Sequence, residues 1–228
     1  VTEATLAERV ERVESEISEA ARSAGRAREE LTVIAVTKFH PAQLVRDLHD
    51  LGVRDFGENR HQEAREKAAE LADLDLRWHF VGQLQSKKAR QAREYASVIH
   101  SLDRPAVVSA LADPAPGEGP LDCFLQINLT ADPARGGAQP DEAEGLAEQI
   151  ARASGLHLLG VMAVAPLDEE PRAAFARLRA IGDRVRTIEP GARWMSAGMS
   201  NDFAEAIAEG ATHLRIGTAI TGNRPPHD

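Results

Sequence analysis

Apolar positions along the chain follow two alternating periods. Leu6, Val10, Val13 and Ile17 recur three to four residues apart, the spacing of an amphipathic helix that runs to about Ala24. Thr5, with Glu8 three residues on, supplies a capping box at its start. Short β-like runs then alternate with helical stretches. The runs cover 31–37, 53–57, 76–81, 97–102, 121–128, 156–164, 193–196 and 212–217, and helical spacing follows near 41–51, 59–72, 85–95, 104–112, 140–154, 169–188 and 201–209. Strands separated by helices pair in parallel through right-handed crossovers. Eight such units in 228 residues predict a single (β/α)₈ TIM barrel over 1–228, with an extra N-terminal helix within 1–26 and a frayed tail at 223–228. The seventh run is the weakest, being short and flanked by Gly191 and Gly198. A doubly wound open sheet would carry a Gly-rich turn after its first strand, where this chain has Lys38-Phe39-His40-Pro41. The segment 130–140, with Gly136 and Gly137, falls among the loops of the active-site face and is long enough to predict a mobile flap.

Charge narrows the partners. With 27 basic against 36 acidic residues the formal net charge is −9, which repels phosphate backbones, so no nucleic-acid partner is expected. One cysteine, Cys123, leaves no internal disulfide and suits a reducing compartment; among Phe124, Leu125 and Ile127 it reads as a core residue. No apolar run is long enough for a membrane span, and the expected setting is cytoplasmic. The eight histidines show no ligand spacing such as H-x-x-x-H, so no metal is expected, and His79 reads as a hydrogen-bonded core residue.

Barrels place their chemistry at the C-terminal strand ends. Here those ends carry Lys38, Glu58-Asn59, Gly82-Gln83, Ser101, Asn128, Met162-Ala163, the turn Ser196-Ala197-Gly198-Met199-Ser200, and Arg215-Ile216-Gly217-Thr218. Period-two alternation sets Ile34, Val36 and Lys38 on one face. If that face lines the barrel, partial burial lowers the amine's pKa and suits it to attack a carbonyl. Taken alone, a lysine at a strand end simply reaches solvent. Gly198 and Met199 precede Ser200, which reads as the N-cap of the next helix, and Gly217-Thr218 forms a second small-residue turn. Two such turns after strands seven and eight are where barrels bind phosphate, although Asp202 nearby would compete with it. His213, Arg215 and Gly217 share the inward face of strand eight. A guanidinium there needs an acceptor, either a structural carboxylate or a ligand atom such as a pyridine nitrogen.

Five stretches together resemble one family. Val36-Thr37-Lys38-Phe39-His40-Pro41, Phe56-Gly57-Glu58-Asn59 with Gln62-Glu63, and Trp78-His79-Phe80-Val81-Gly82 with Leu84-Gln85-Ser86 and Lys88 are three of them. The turn 196–200 with Asp202, and Arg215-Ile216-Gly217-Thr218-Ala219-Ile220, complete the set. They resemble the pyridoxal phosphate homeostasis protein family, whose barrel is similar to the N-terminal domain of bacterial alanine racemase. The resemblance spans nearly the whole chain. It implies pyridoxal 5′-phosphate (PLP) held as a Schiff base on Lys38, with Asn59 near the ring and Arg215 facing the pyridine nitrogen. It also implies a phosphate grip of Ser200, Gly217 and Thr218 with backbone help from Met199. Thr221 stands where the family usually has an aromatic residue, and Lys87 where asparagine is common.

The same resemblance implies a carrier and regulator of vitamin B6 balance without robust turnover, with apo PLP-dependent enzymes as candidate recipients; a lone barrel with a charged exterior is compatible with a monomer. The residues agree with that. Racemisation needs an acid or base on each face of the substrate carbon, and Tyr95 and Cys123 both fall away from the expected mouth. A weak amino-acid racemase, or a cofactor-free Schiff-base aldolase, are the alternatives.

Overall fold

A computed structural model describes the chain over residues 4–223. Thr5 opens α1 (Leu6–Ser23): its hydroxyl accepts the Glu8 N–H, and the Glu8 carboxylate accepts the Thr5 N–H at 2.7 Å. That is the predicted capping box. The helix turns Val13, Ile17 and Ala21 inward, and a short 3₁₀ turn (Arg28–Glu30) leads to the first strand.

Eight parallel strands close into a barrel in chain order. They are β1 (Thr32–Val36), β2 (Asp55–Glu58), β3 (Arg77–Phe80), β4 (Val98–Leu102), β5 (Leu121–Gln126), β6 (Leu156–Met162), β7 (Trp194–Ser196) and β8 (His213–Ile216). Between them run α2 (Ala42–Asp50), α3 (His61–Glu70), α4 (Ser86–Ala92), α5 (Pro105–Leu111), α6 (Ala143–Arg152), α7 (Pro171–Ile188) and α8 (Phe203–Ala208). A last turn, α9 (Thr218–Thr221), follows β8, and α1 packs against α8 and α9. The predicted count of eight strands holds, and the seventh is the shortest, at three residues. Two details differ. Residue 223 alone of the expected frayed tail lies within the described residues. Ser200 is not a helix cap, because α8 begins only at Phe203, with Asp202 as its N-cap.

Strand alternation divides the interior in two. Outward residues such as Ala35, Leu214 and Ile216 join the large apolar core between barrel and helices, where Cys123 is also fully buried. Inside the barrel the apolar filling is a separate small cluster of Val98, Phe124, Leu159 and Met162, together with Ile34 and Val36 of β1. The remaining space is filled by polar side chains that bond one another. His79, His100 and His213 are all buried there. His79 meets Asp55 at 2.8 Å and His100 at 2.9 Å, His100 meets Ser196 at 2.8 Å, and His213 meets Thr212 at 2.9 Å.

Burial disfavours the imidazolium and lowers all three pKa values, His100 well below the usual range and His213 to about 3. The unfolded chain, whose histidines titrate near 6.5, therefore takes up protons that the folded barrel refuses. Stability must fall as pH drops through the ordinary histidine range, by up to about 1.4 kcal/mol per pH unit for each group. Glu58 and Asp202, whose pKa values burial raises, work the other way, two carboxylates against three imidazoles. Urea unfolding is expected to show a loss of about 3 kcal/mol between pH 7.5 and 5.5; a flat or rising stability over that interval would contradict a neutral histidine core.

Candidate functional site

The Lys38 turn starts where β1 leaves the sheet. A Cβ built on Gly57 of β2 would lie 3.1 Å from the side chains of both Ile34 and Val36, so these share the inward face and Lys38 follows at its upper end. Lys38 is half-buried, and Phe39 beside it adopts φ +66°, the only positive φ among the described non-glycine residues. Such a conformation persists only where its surroundings enforce it. The Phe39 N–H donates to Glu63 at 2.6 Å, and the Arg60 guanidinium lies 4.6 Å above the Phe39 ring. On the other side of Lys38, the Thr37 carbonyl accepts from the Lys67 ammonium at 2.8 Å, and the Thr37 hydroxyl donates to Glu58 at 2.7 Å. Lys67 also bonds Glu58 at 2.7 Å and Glu63 at 2.8 Å. One buried cluster thus holds the backbone on both sides of Lys38.

Sequence reasoning placed Glu58 and Glu63 in a motif but missed Lys67. The only signal was its i,i+4 spacing from Glu63, which on most helices marks a solvent-facing pair. Here α3 turns that pair inward, and Lys67 is 6% exposed. Burial raises the Glu58 pKa against the pull of Lys67, and its Oε2 is buried without a hydrogen-bond partner. Asn59, next along the chain, is half-buried at the end of β2. It packs so closely on β3's exit that a Cβ on Gly82 would lie 2.0 Å from the Asn59 carbonyl oxygen, so only glycine fits there.

The turns after β7 and β8 meet. Ser200 Oγ accepts the Ala219 N–H at 3.4 Å, a long contact that bridges the two. Met199 gives its N–H to Asp202 Oδ1 at 2.6 Å. The carboxylate flagged as a competitor therefore occupies the backbone donor expected to help a phosphate. Burial raises the Asp202 pKa, while the Met199 N–H and the charge of Arg215 lower it. At Gly217 a Cβ would meet Val36 at 3.9 Å, an ordinary contact, so the turn lies against β1 without crowding it. In kind these residues fit a phosphate: two small-residue turns that carry two hydroxyls.

Arg215 lies inside the barrel, 5% exposed, donating from Nη1 to Ser196 Oγ at 2.6 Å and from Nη2 to the Ala163 carbonyl at 2.8 Å. Neither acceptor is a carboxylate. Desolvation brings its pKa down to about 10, and the charge of Asp202 limits the fall. β1 and β8 are neighbours, with Ile34 opposite Arg215 and Ala35 opposite Ile216, so the Lys38 turn and the Gly217 turn leave adjacent strands.

The loop 130–140 is tied down rather than left as the expected free flap. Ala138 pairs with Ile127, donating to the Gln126 carbonyl and accepting from the Asn128 N–H, each at 2.8 Å. The Asn128 side chain holds Thr130, Asp132 and Arg135 from within. Tyr95 bonds His61 at 3.2 Å in the helix layer, and the Cys123 thiol lies 3.5 Å from the His157 carbonyl. Burial raises the pKa of both.

The model of the alanine racemase N-terminal domain family matches residues 10–225. The chain belongs to that family. Within it, a pyridoxal phosphate homeostasis protein of Pseudomonas aeruginosa is 42% identical over 224 residues, covering 96% of each chain. The structure of PipY from Synechococcus elongatus with PLP bound superposes with a TM-score of 0.84 at 36% identity, covering 96% of this chain and 100% of that one. Alanine racemase from Corynebacterium glutamicum shares the fold, with a TM-score of 0.73 at 16% identity, covering 94% of this chain and 61% of that one.

The Lys67 cluster leads to a stability prediction. Lys67→Met leaves two carboxylates facing each other without their cation and is expected to cost about 3–5 kcal/mol in urea unfolding. Adding Glu58→Gln to that variant removes the stranded charge and should recover part of the loss. A double variant no more stable than Lys67→Met would show that the cluster is not held by charge.

Proposed function

We propose that this chain holds PLP on Lys38 and serves intracellular vitamin B6 balance by binding and handing on the cofactor, without robust turnover. The observation that supports this reading is the pairing of β1 with β8, since the first strand leads into Lys38 and the second carries the donor-only Arg215 and leads into Gly217-Thr218. When bound, PLP supplies an aldehyde that condenses with an amine, a phosphate, and a pyridine ring that can draw electrons from that carbon. Lys38 would supply the amine, its backbone set by Thr37 and Phe39. Ser200, Gly217 and Thr218 would hold the phosphate, and Met199 would add its N–H once Asp202 gives it up. Asn59 would lie near the ring.

Arg215 would face the ring nitrogen. A guanidinium only donates, so it favours an unprotonated nitrogen and a weaker electron sink than an aspartate partner would give. The family relative that resembles this chain along its length is named for homeostasis, in keeping with that electronics. Tyr95 and Cys123 are engaged away from β1 and β8, which supports binding over racemisation. We further propose one barrel domain, a monomer in the cytoplasm, and apo PLP-dependent enzymes as recipients. No helix of the described residues is long and apolar enough to cross a membrane.

Titrating the purified protein with PLP tests the reading. A visible absorption band is expected, lost on borohydride treatment and absent in Lys38→Ala. L-alanine incubated for hours with the loaded protein should keep its optical activity. A protein that stays colourless sinks the proposal, and a Lys38-dependent loss of rotation would replace it with a racemase.

A further inference from the structure

Arg215 is joined to the opposite end of the barrel by an unbroken chain of side chains. Its Nη1 donates to Ser196 Oγ at 2.6 Å, and that oxygen lies 2.8 Å from His100 Nδ1. His100 Nε2 lies 2.9 Å from His79 Nδ1, and His79 Nε2 lies 2.8 Å from Asp55 Oδ1. Ser196 and His100 are fully buried, and His79 is 1% exposed. Asp55 opens β2 at the barrel's N-terminal end, with its side chain 22% exposed.

The hydrogens on this chain can be placed by elimination. The Asp55 carboxylate only accepts, so His79 carries its proton on Nε2. Burial keeps both imidazoles neutral, with one proton each. His79 Nδ1 is then an acceptor, which puts the His100 proton on Nε2 and leaves His100 Nδ1 bare. Ser196 must donate its hydroxyl to that nitrogen, and its oxygen accepts from Arg215. The opposite order would set a bare nitrogen against a carboxylate and leave the Ser196 O–H with no acceptor in the chain. The charges around the two rings are Asp55, Asp122, Arg77 and Arg215, with His213 packed beside them. Only Asp55 touches the chain as an anion.

We propose that Ser196, His100, His79 and Asp55 are positioning residues for Arg215, forming an oriented relay in which every hydrogen points towards Asp55. The relay fixes the guanidinium as a donor at the barrel mouth and couples a carboxylate on the opposite face to the cofactor's ring nitrogen. Its cofactor half rests on the reading of Arg215 given above. Each bond in such a chain polarises the next, so the relay supplies Arg215 with the negative partner that its direct neighbours lack.

Two measurements test it. In the PLP-free protein, long-range ¹H–¹⁵N spectra at pH 7.5 are expected to show His79 and His100 both neutral and both protonated on Nε2. Either ring as the Nδ1–H form, or as imidazolium, overturns the relay whether or not the protein binds PLP. In the loaded protein, Ser196→Ala and Asp55→Leu are each expected to shift the wavelength of the bound PLP band, and Ser196→Ala to weaken PLP binding about tenfold. Asp55→Asn keeps an oxygen that accepts from His79 and should bring the band back towards the parent position. An Asp55→Leu protein with the parent's melting temperature and an unshifted band overturns the coupling. If Asp55→Leu does not fold, Ser196→Ala decides alone: an unshifted band there overturns it too. A parent protein with no band fails the PLP reading instead, while the histidine spectra still judge the relay.

Discussion

A side chain inside a closed eight-stranded barrel cannot reach water, so every polar group placed there must find its partner within the wall. That constraint shapes the inside of the barrel. Beside a few apolar side chains it holds imidazoles, a serine and a guanidinium. His79, His100, Ser196 and Arg215 each bond a group on another strand or strand end, which makes the register of the sheet part of the network. A one-residue slip of β8 would turn His213 and Arg215 outward into the apolar layer.

A second buried network lies just outside the barrel wall, between β2 and α3. It differs in kind, because it contains one cation and two carboxylates rather than neutral rings. Buried ion clusters of this sort add little net stability and are lost at high cost when one member goes. What this one does is geometric: it holds Thr37 and Phe39, and so the turn between them. The barrel network ends at Arg215, and the second network flanks the Lys38 turn.

Much of the fold was legible from period alone, because parallel strands buried on both faces and amphipathic helices leave different spacings in the chain. The eight strands, the capping box at Thr5 and the inward face of β8 all appear in the structure as read. Of the candidate site, places within a single segment were legible: Lys38 does follow a strand end, and Gly217-Thr218 does lie at the turn after β8. Lys67 was not, since an i,i+4 pair looks the same whether a helix turns it to solvent or to the barrel. His79 was read correctly as a bonded core histidine, yet its partners lie on β2 and β4 and could be named only once the register was known. Ser200 was misassigned because a serine three residues ahead of a helix and a serine at its cap look alike until Asp202 is seen at the cap. The flap at 130–140 was overcalled because length alone says nothing of Ala138 pairing with Ile127.

The clamp around Lys38 separates what shapes the turn from what acts in it. Phe39 and Thr37 are held by Glu63, Glu58 and Lys67, and none of those bonds uses the Lys38 side chain. The backbone from residue 37 to residue 39 is therefore set from β2 and α3. A change at Lys67 or Glu63 would reach position 38 through the chain on either side of it, with no direct contact needed.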